Sequence, residues 1–174
     1  MNYKPFSQKE YEENNSKAKN LALRFLLSRG YYRLDIPLEK QPEAYKRKDF
    51  DIFHTKLNKV ILVEAERKKV WTNSGLWQTC WDTLDVPYRK EESEAQVYVM
   101  SNLHWDTIAV AKMPEVQKAI KKLKDCKCDN VKTENEPFFR CKLGIFKFFK
   151  SVNKQRTLWV EITPYGKEIG DKNV

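Results

Sequence analysis

The chain has 174 residues, 41% of them apolar and 13% aromatic, enough to bury a core and too many for a disordered segment. Thirty-three Lys and Arg against 24 Asp and Glu give a net charge of +9, which favours polyanionic partners but is also met in basic domains that bind none. The length predicts one domain over 1–174. The short apolar runs and polar N-terminus predict no membrane span and no signal peptide, hence a cytoplasmic protein without a membrane partner.

Taken in order, residues 7–29 read as a helix. Ser7 and Glu10 fit a capping box, Ala18, Leu21, Ala22, Phe25 and Leu26 recur at helical spacing, and Gly30 stops the run. A basic, aromatic connector with two prolines follows over 31–48, with a short strand at Tyr31–Leu34. Its Lys46-Arg47-Lys48 run has the charge to hold a phosphate backbone, or is a solvated loop. Asp49–Phe53 and Val60–Glu66 then read as two strands joined by a polar turn.

Beyond the hairpin, Leu76, Trp77, Cys80, Trp81 and Leu84 fall at helical spacing, predicting a helix from about 72 that ends at Pro87. Glu91–Ala95 is an acidic turn. Val97–Met100 and Asp106–Lys112 read as strands, and Glu115–Lys124 as a helix with Pro114 at its start and a lysine-rich outer face. A polar loop is expected over 127–136, an aromatic segment over 138–149, and a closing strand at Thr157–Ile162. These place a core at about 7–112 and a β-rich extension at about 125–174.

The candidate chemistry lies in the hairpin. On the second strand, alternation puts Leu62, Glu64, Glu66 and Lys68 on one face and Ile61, Val63 and Ala65 on the other. A buried strand that ends in two carboxylates on one face needs something to neutralise them. With Asp51 they offer the hard oxygen ligands that Mg²⁺ or Mn²⁺ prefers. The competing reading is an amphipathic strand with a solvated acidic face.

The wording DFDIF…ILVEAE resembles the core of the PD-(D/E)xK nuclease superfamily, an Asp on one strand and a Glu-x-Lys on the next. The resemblance covers about twenty residues. It implies a restriction-endonuclease-like core, an α/β fold with a mixed central sheet flanked by helices, in α-β-β-β-α-β order. It also implies Asp51 and Glu64 as metal ligands. Glu66 stands where the family's Lys is usual, a variant known among restriction-type members, and is then a third ligand or the proton acceptor. Lys68 would orient the water, and Glu66-Arg67-Lys68 is itself an E-x-K in another register. The resemblance further suggests a helix glutamate, Glu12 or Glu13, near the metal, and a helix Gln, Gln78, at the site. Both glutamates also suit a solvated helix face.

Other sites carry less. Cys126-x-Cys128 with Cys141 and the remote Cys80 lacks the paired spacing of structural zinc and suits reduced thiols. Five glycines leave no phosphate loop, and no nucleophile elbow occurs. His54 suits an exposed turn. The Trp residues and Phe146, Phe148 and Phe149 suit either a core or base stacking.

The expectation is a Mg²⁺- or Mn²⁺-dependent endonuclease hydrolysing DNA, with RNA as the second substrate class. Its site is Asp51, Glu64, Glu66 and Lys68, and Lys46, Arg47, Lys48, Lys69 and Gln78 meet the nucleic acid. The alternative is a non-catalytic nucleic-acid- or protein-binding module on the same scaffold, such as a phage protein acting on a host enzyme. The sequence leaves oligomeric state open, a dimer included.

Overall fold

The computed structural model describes residues 8–33, 50–54, 58–74, 77, 81–128 and 131–169; within these, only the backbone is described at 8–12, 33, 50–54, 126–128 and 131–134. Helix α1 (Gln8–Ser28) leads into strands β1 (Tyr31–Arg33), β2 (Phe50–His54) and β3 (Lys59–Arg67). Gly30 closes the helix in the left-handed region at φ 82°, its N–H donating to Leu27 O at 3.1 Å. β2 and β3 are antiparallel, with Asn58 taking a positive φ in their connection. This hairpin agrees with the sequence reading to within a residue or two.

Strands β5 (Val97–Ser101) and β6 (Thr107–Lys112) also fall where alternation puts them. With β9 (Lys147–Ser151) and β10 (Trp159–Ile162) they complete a seven-stranded sheet of order β1-β2-β3-β5-β6-β9-β10. Only the β3–β5 pair is parallel, so the sheet is mixed and the protein is α/β. Helix α1 covers one face: Leu21, Ala22, Phe25 and Leu26 pack on Ile61, Val63, Ala65 and Val99.

Among the described residues, the only helix on the second face is a five-residue one, Met113–Gln117, whose Met113 and Val116 are buried there, so most of that face lacks the helical cover expected of a sheet flanked by helices. A three-stranded sheet of order β4-β8-β7 lies over it, formed by β4 (Thr83–Pro87), β7 (Ile120–Cys128) and β8 (Val131–Lys142). Three sequence expectations fail there. The segment read as a helix up to Pro87 ends in β4, where Leu84 and Val86 are buried in strand alternation. The helix expected over 115–124 is only α2 (Met113–Gln117), and Ile120 and Leu123, read as inward-facing, are 68% and 61% exposed. The loop expected over 127–136 lies mostly within β8. In the first two cases strand pairing outweighs local helical spacing, and in the third it outweighs polar composition: β8 binds β4 from Thr83↔Lys142 to Pro87↔Phe138, and β7 from Ile120↔Arg140 onward.

The space between the sheets is filled by Leu62, Trp71, Trp77, Leu84, Val86, Tyr98, Met100, Phe139, Phe146 and Phe148. Trp71, Trp77, Phe146, Phe148 and Phe149 are therefore core residues, not base-stacking platforms. Cys141 is buried as a free thiol, pushed up to about 12 by burial and then by the Asp85 charge. No helix among the described residues is long and apolar enough to cross a membrane.

The turn from β5 to β6 carries its own network. Buried Asn102 accepts from the backbone N–H of Asp106 and Thr107 at 3.1 and 3.2 Å, and donates to Asp106 Oδ1 at 2.7 Å. Ser74 and Thr107 hydroxyls donate to the same carboxylate. Burial alone would raise the Asp106 carboxyl, but the hydrogen bonds from Ser74, Asn102 and Thr107 outweigh it and hold it below its ordinary value of 3.8. A depressed carboxyl contributes stability that is present above the unfolded value and lost as pH falls through the folded one. Asp106→Asn is expected to be less stable than wild type at pH 7, with the gap closing below about pH 4. Urea denaturation at both pH values checks this; a gap independent of pH would count against it.

Candidate functional site

Glu64 and Glu66 lie on the face of β3 that looks toward the three-stranded sheet, the face of Leu62. Glu64 is 8% exposed, so the reading of these carboxylates as a solvated strand face is excluded at that position. β3 continues four residues beyond its last described pair with β2, Phe50↔Val63, while pairing with β5 through Arg67. An open cleft of about 230 Å³ forms along this extension. Asn14 and Asn15 of α1, Glu64 and Glu66, and the cations Arg67, Lys69, Arg89 and Lys90 line it.

Neutralisation of Glu64 comes from a residue that sequence reading missed. Lys90 Nζ donates to Glu64 Oε1, with the two side chains only 12% and 10% exposed, and Ser93 Oγ donates to Glu64 Oε2 at 3.2 Å. Both donors lie on or just after a 3₁₀ turn (Tyr88–Glu92) between β4 and β5. Gln117 holds that turn in place: its Nε2 lies 3.1, 3.1 and 2.9 Å from the carbonyls of Lys90, Glu91 and Ser93. Tyr88 stacks on Phe139 at 4.8 Å, and Lys121 Nζ sits 3.9 Å from the Tyr88 ring centre. Gln117→Ala is expected to cost about 1–2 kcal/mol through the lost bonds to carbonyls. Amide exchange at residues 90–93 should quicken with it; unchanged exchange would mean the turn is held otherwise.

Glu66 is placed differently. Its Oε2 is buried and accepts no hydrogen bond, and its ion-pair partner among the described residues, Arg89, stands 4.0 Å away and is largely exposed. Such an exposed ion pair is worth little. Tyr98 lies opposite Glu64 in the β3–β5 register, wholly buried, and its hydroxyl also makes no hydrogen bond. Burial first, then the Glu66 carboxylate through its charge and its closeness to the hydroxyl, and then the Glu64 charge push that phenol well above its usual range. The unpartnered Glu66 Oε2 and Tyr98 hydroxyl, with the Glu64 carboxylate beside them, are an oxygen set that a hard divalent cation would satisfy.

The other sequence candidates divide. Lys69 lines the cleft. Lys68 turns toward β4, its Nζ donating to Asp85 O at 3.0 Å. Asp51 lies opposite Leu62, two positions before Glu64, but its side chain is outside the described residues, as are Lys46, Arg47, Lys48 and Gln78 altogether. Among the described residues no three His, Cys, Asp or Glu side chains stand close enough to hold a metal together. Glu13 is exposed, and the helix residues at the cleft are Asn14 and Asn15. The one available signal for Tyr98 was its strand: β5 is parallel to β3, which sets Tyr98 level with Glu64. Lys90 and Ser93 gave no signal, since they reach Glu64 from 26 and 29 residues away.

Fold and cleft together define an α/β protein on a mixed seven-stranded sheet, with paired carboxylates in a cation-rimmed cleft. Compared with family models, curated proteins and solved structures, the chain matches none.

Proposed function

We propose that the chain is a metal-dependent nuclease of the PD-(D/E)xK type, hydrolysing DNA phosphodiester bonds in the cleft at Glu64 and Glu66. The observation that carries the reading is the buried Glu66 oxygen without a donor, beside a second buried carboxylate in an open cleft rimmed by cations. The chain order also supports it. A helix, a three-stranded antiparallel meander and a strand parallel to the third follow the α-β-β-β-α-β order except that the crossover ends in β4 and a 3₁₀ turn.

In this reading Glu64 and Glu66 hold Mg²⁺ or Mn²⁺, with Asp51 as the third ligand. The metal would lower the pKa of a water and offset charge on phosphorus. Hydrolysis forms one bond from water oxygen to phosphorus and breaks one P–O ester bond; the water loses a proton and the leaving oxygen gains one. Lys69 and Arg89, at the cleft surface, would meet the phosphate oxygens, with Lys46, Arg47 and Lys48 along the backbone. RNA is the second substrate class.

The test is cleavage of supercoiled and linear DNA in Mg²⁺, Mn²⁺ or EDTA, beside a Glu64 variant. A second reading, a non-catalytic binding module on the same scaffold, draws on a specific observation: Glu64 is already neutralised by Lys90. It expects DNA binding that EDTA and the Glu64 variant leave unchanged, and no cleavage.

A further inference from the structure

The two carboxylates of the cleft are unequally provided for. Both oxygens of Glu64 receive donors, Lys90 Nζ on one and Ser93 Oγ on the other, whereas Glu66 Oε2 receives none. A cation that enters by Glu66 meets a carboxylate oxygen ready to bind. To engage Glu64 as well it must take the place of a donor already there. The Lys90 side chain can yield that place without disturbing the fold. Its backbone is fixed by the Gln117 clamp, while its ammonium rides on a flexible four-carbon stem. The ammonium brings one positive charge to a site with two carboxylates, so a divalent ion neutralises the site more completely.

We propose that Lys90 is a built-in stand-in for the divalent cation. Its ammonium holds Glu64 while no metal is present and is displaced into the cleft when one binds. There it lies beside Lys69 and Arg89, where an anionic substrate would enter. Lys90 thus sets the site's cation affinity and then serves as a positioning residue for the phosphate. This rests on the cation-binding half of the proposed function and goes beyond it by assigning a competitor for the metal.

Two experiments that do not depend on cleavage test it. In the wild-type protein an amine-acylating reagent, read residue by residue by mass spectrometry, should leave Lys90 protected in EDTA, where its side chain is 12% exposed. It should label Lys90 several-fold more in Ca²⁺ or Mn²⁺, while exposed lysines such as Lys118 are unchanged. By calorimetry, Lys90→Gln, which keeps a polar group but removes the competing charge, should bind Mn²⁺ about tenfold more tightly than wild type. Mn²⁺ binding with Lys90 still protected, or a folded Lys90→Gln that binds no tighter, overturns displacement and leaves the cation site standing. Absence of any Mn²⁺ binding by folded wild type overturns both. Should Lys90→Gln not fold, the labelling of wild type decides alone.

Discussion

Replacing Glu64 by glutamine is expected to lower Mg²⁺-dependent DNA cleavage by more than about a hundredfold, since even a partner behind a metal ligand is worth about 10–100-fold. The same change also breaks the buried pair with Lys90, whose side chains are 12% and 10% exposed. Removing one partner of such a pair costs about 3–5 kcal/mol when the other charge is left uncompensated. Loss of activity alone would therefore not separate a missing ligand from a loosened fold. The double variant Glu64→Gln/Lys90→Met separates them. It removes both charges, so it should recover much of the stability while remaining inactive. Activity regained by the double variant would remove Glu64 from the chemistry. Full stability in the single variant would show that the pair contributes little.

Tyr98 gives an independent check on the same cleft. A buried hydroxyl without a partner is a cost, so Tyr98→Phe is expected to be neutral or stabilising in EDTA. If the cation draws on the Glu66–Tyr98 side of the site, the same variant should bind Mn²⁺ more weakly. Equal affinity would make the phenol a packing residue only.

What was legible in the sequence was what local rules decide. Helix α1, the β2–β3 hairpin, β5 and β6 each follow from spacing, a turn and an apolar run within a few residues. The two carboxylates were legible for the same reason: alternation on one strand puts Glu64 with Glu66, and the density of Ile61, Leu62 and Val63 before them foretold burial. The three-stranded sheet was not legible. Val116, Ala119, Ile120 and Leu123 have helical spacing, yet pairing of Ile120–Lys124 with Glu136–Arg140 determines the outcome, and helical spacing does not record a strand partner further along the chain. The surroundings of Glu64 were hidden likewise. Lys90, Ser93 and Gln117 are ordinary polar residues in sequence and acquire meaning only when β4, the 3₁₀ turn and α2 close over β3.

The largest stability effect outside the cleft is expected at Trp77. Its ring is wholly buried and lies 4.9 Å from Trp71, 5.2 Å from Trp81 and 5.9 Å from Phe148 in tilted and edge-on contacts. Its backbone N–H donates to Pro164 O at 2.6 Å, tying the chain after β3 to the turn after β10. Trp77→Ala should cost about 3–5 kcal/mol, a fall in Tm of roughly 10 °C for a chain of this length. Trp77→Phe should cost much less, below about 1.5 kcal/mol, because it keeps an aromatic ring and deletes an indole N–H that is buried without an acceptor. The contrast matters for function, since Trp77 lies on the crossover that carries the chain from Glu64 and Glu66 to the turn bearing Lys90. Loss of this anchor should lower cleavage and cation binding together as temperature rises, while Trp77→Phe leaves both near wild type. Thermal denaturation of the two variants, with Mn²⁺ binding followed across the same range, would reveal whether the crossover holds the cleft together. A Trp77→Ala protein as stable as wild type would assign that role to Trp71 and Phe148.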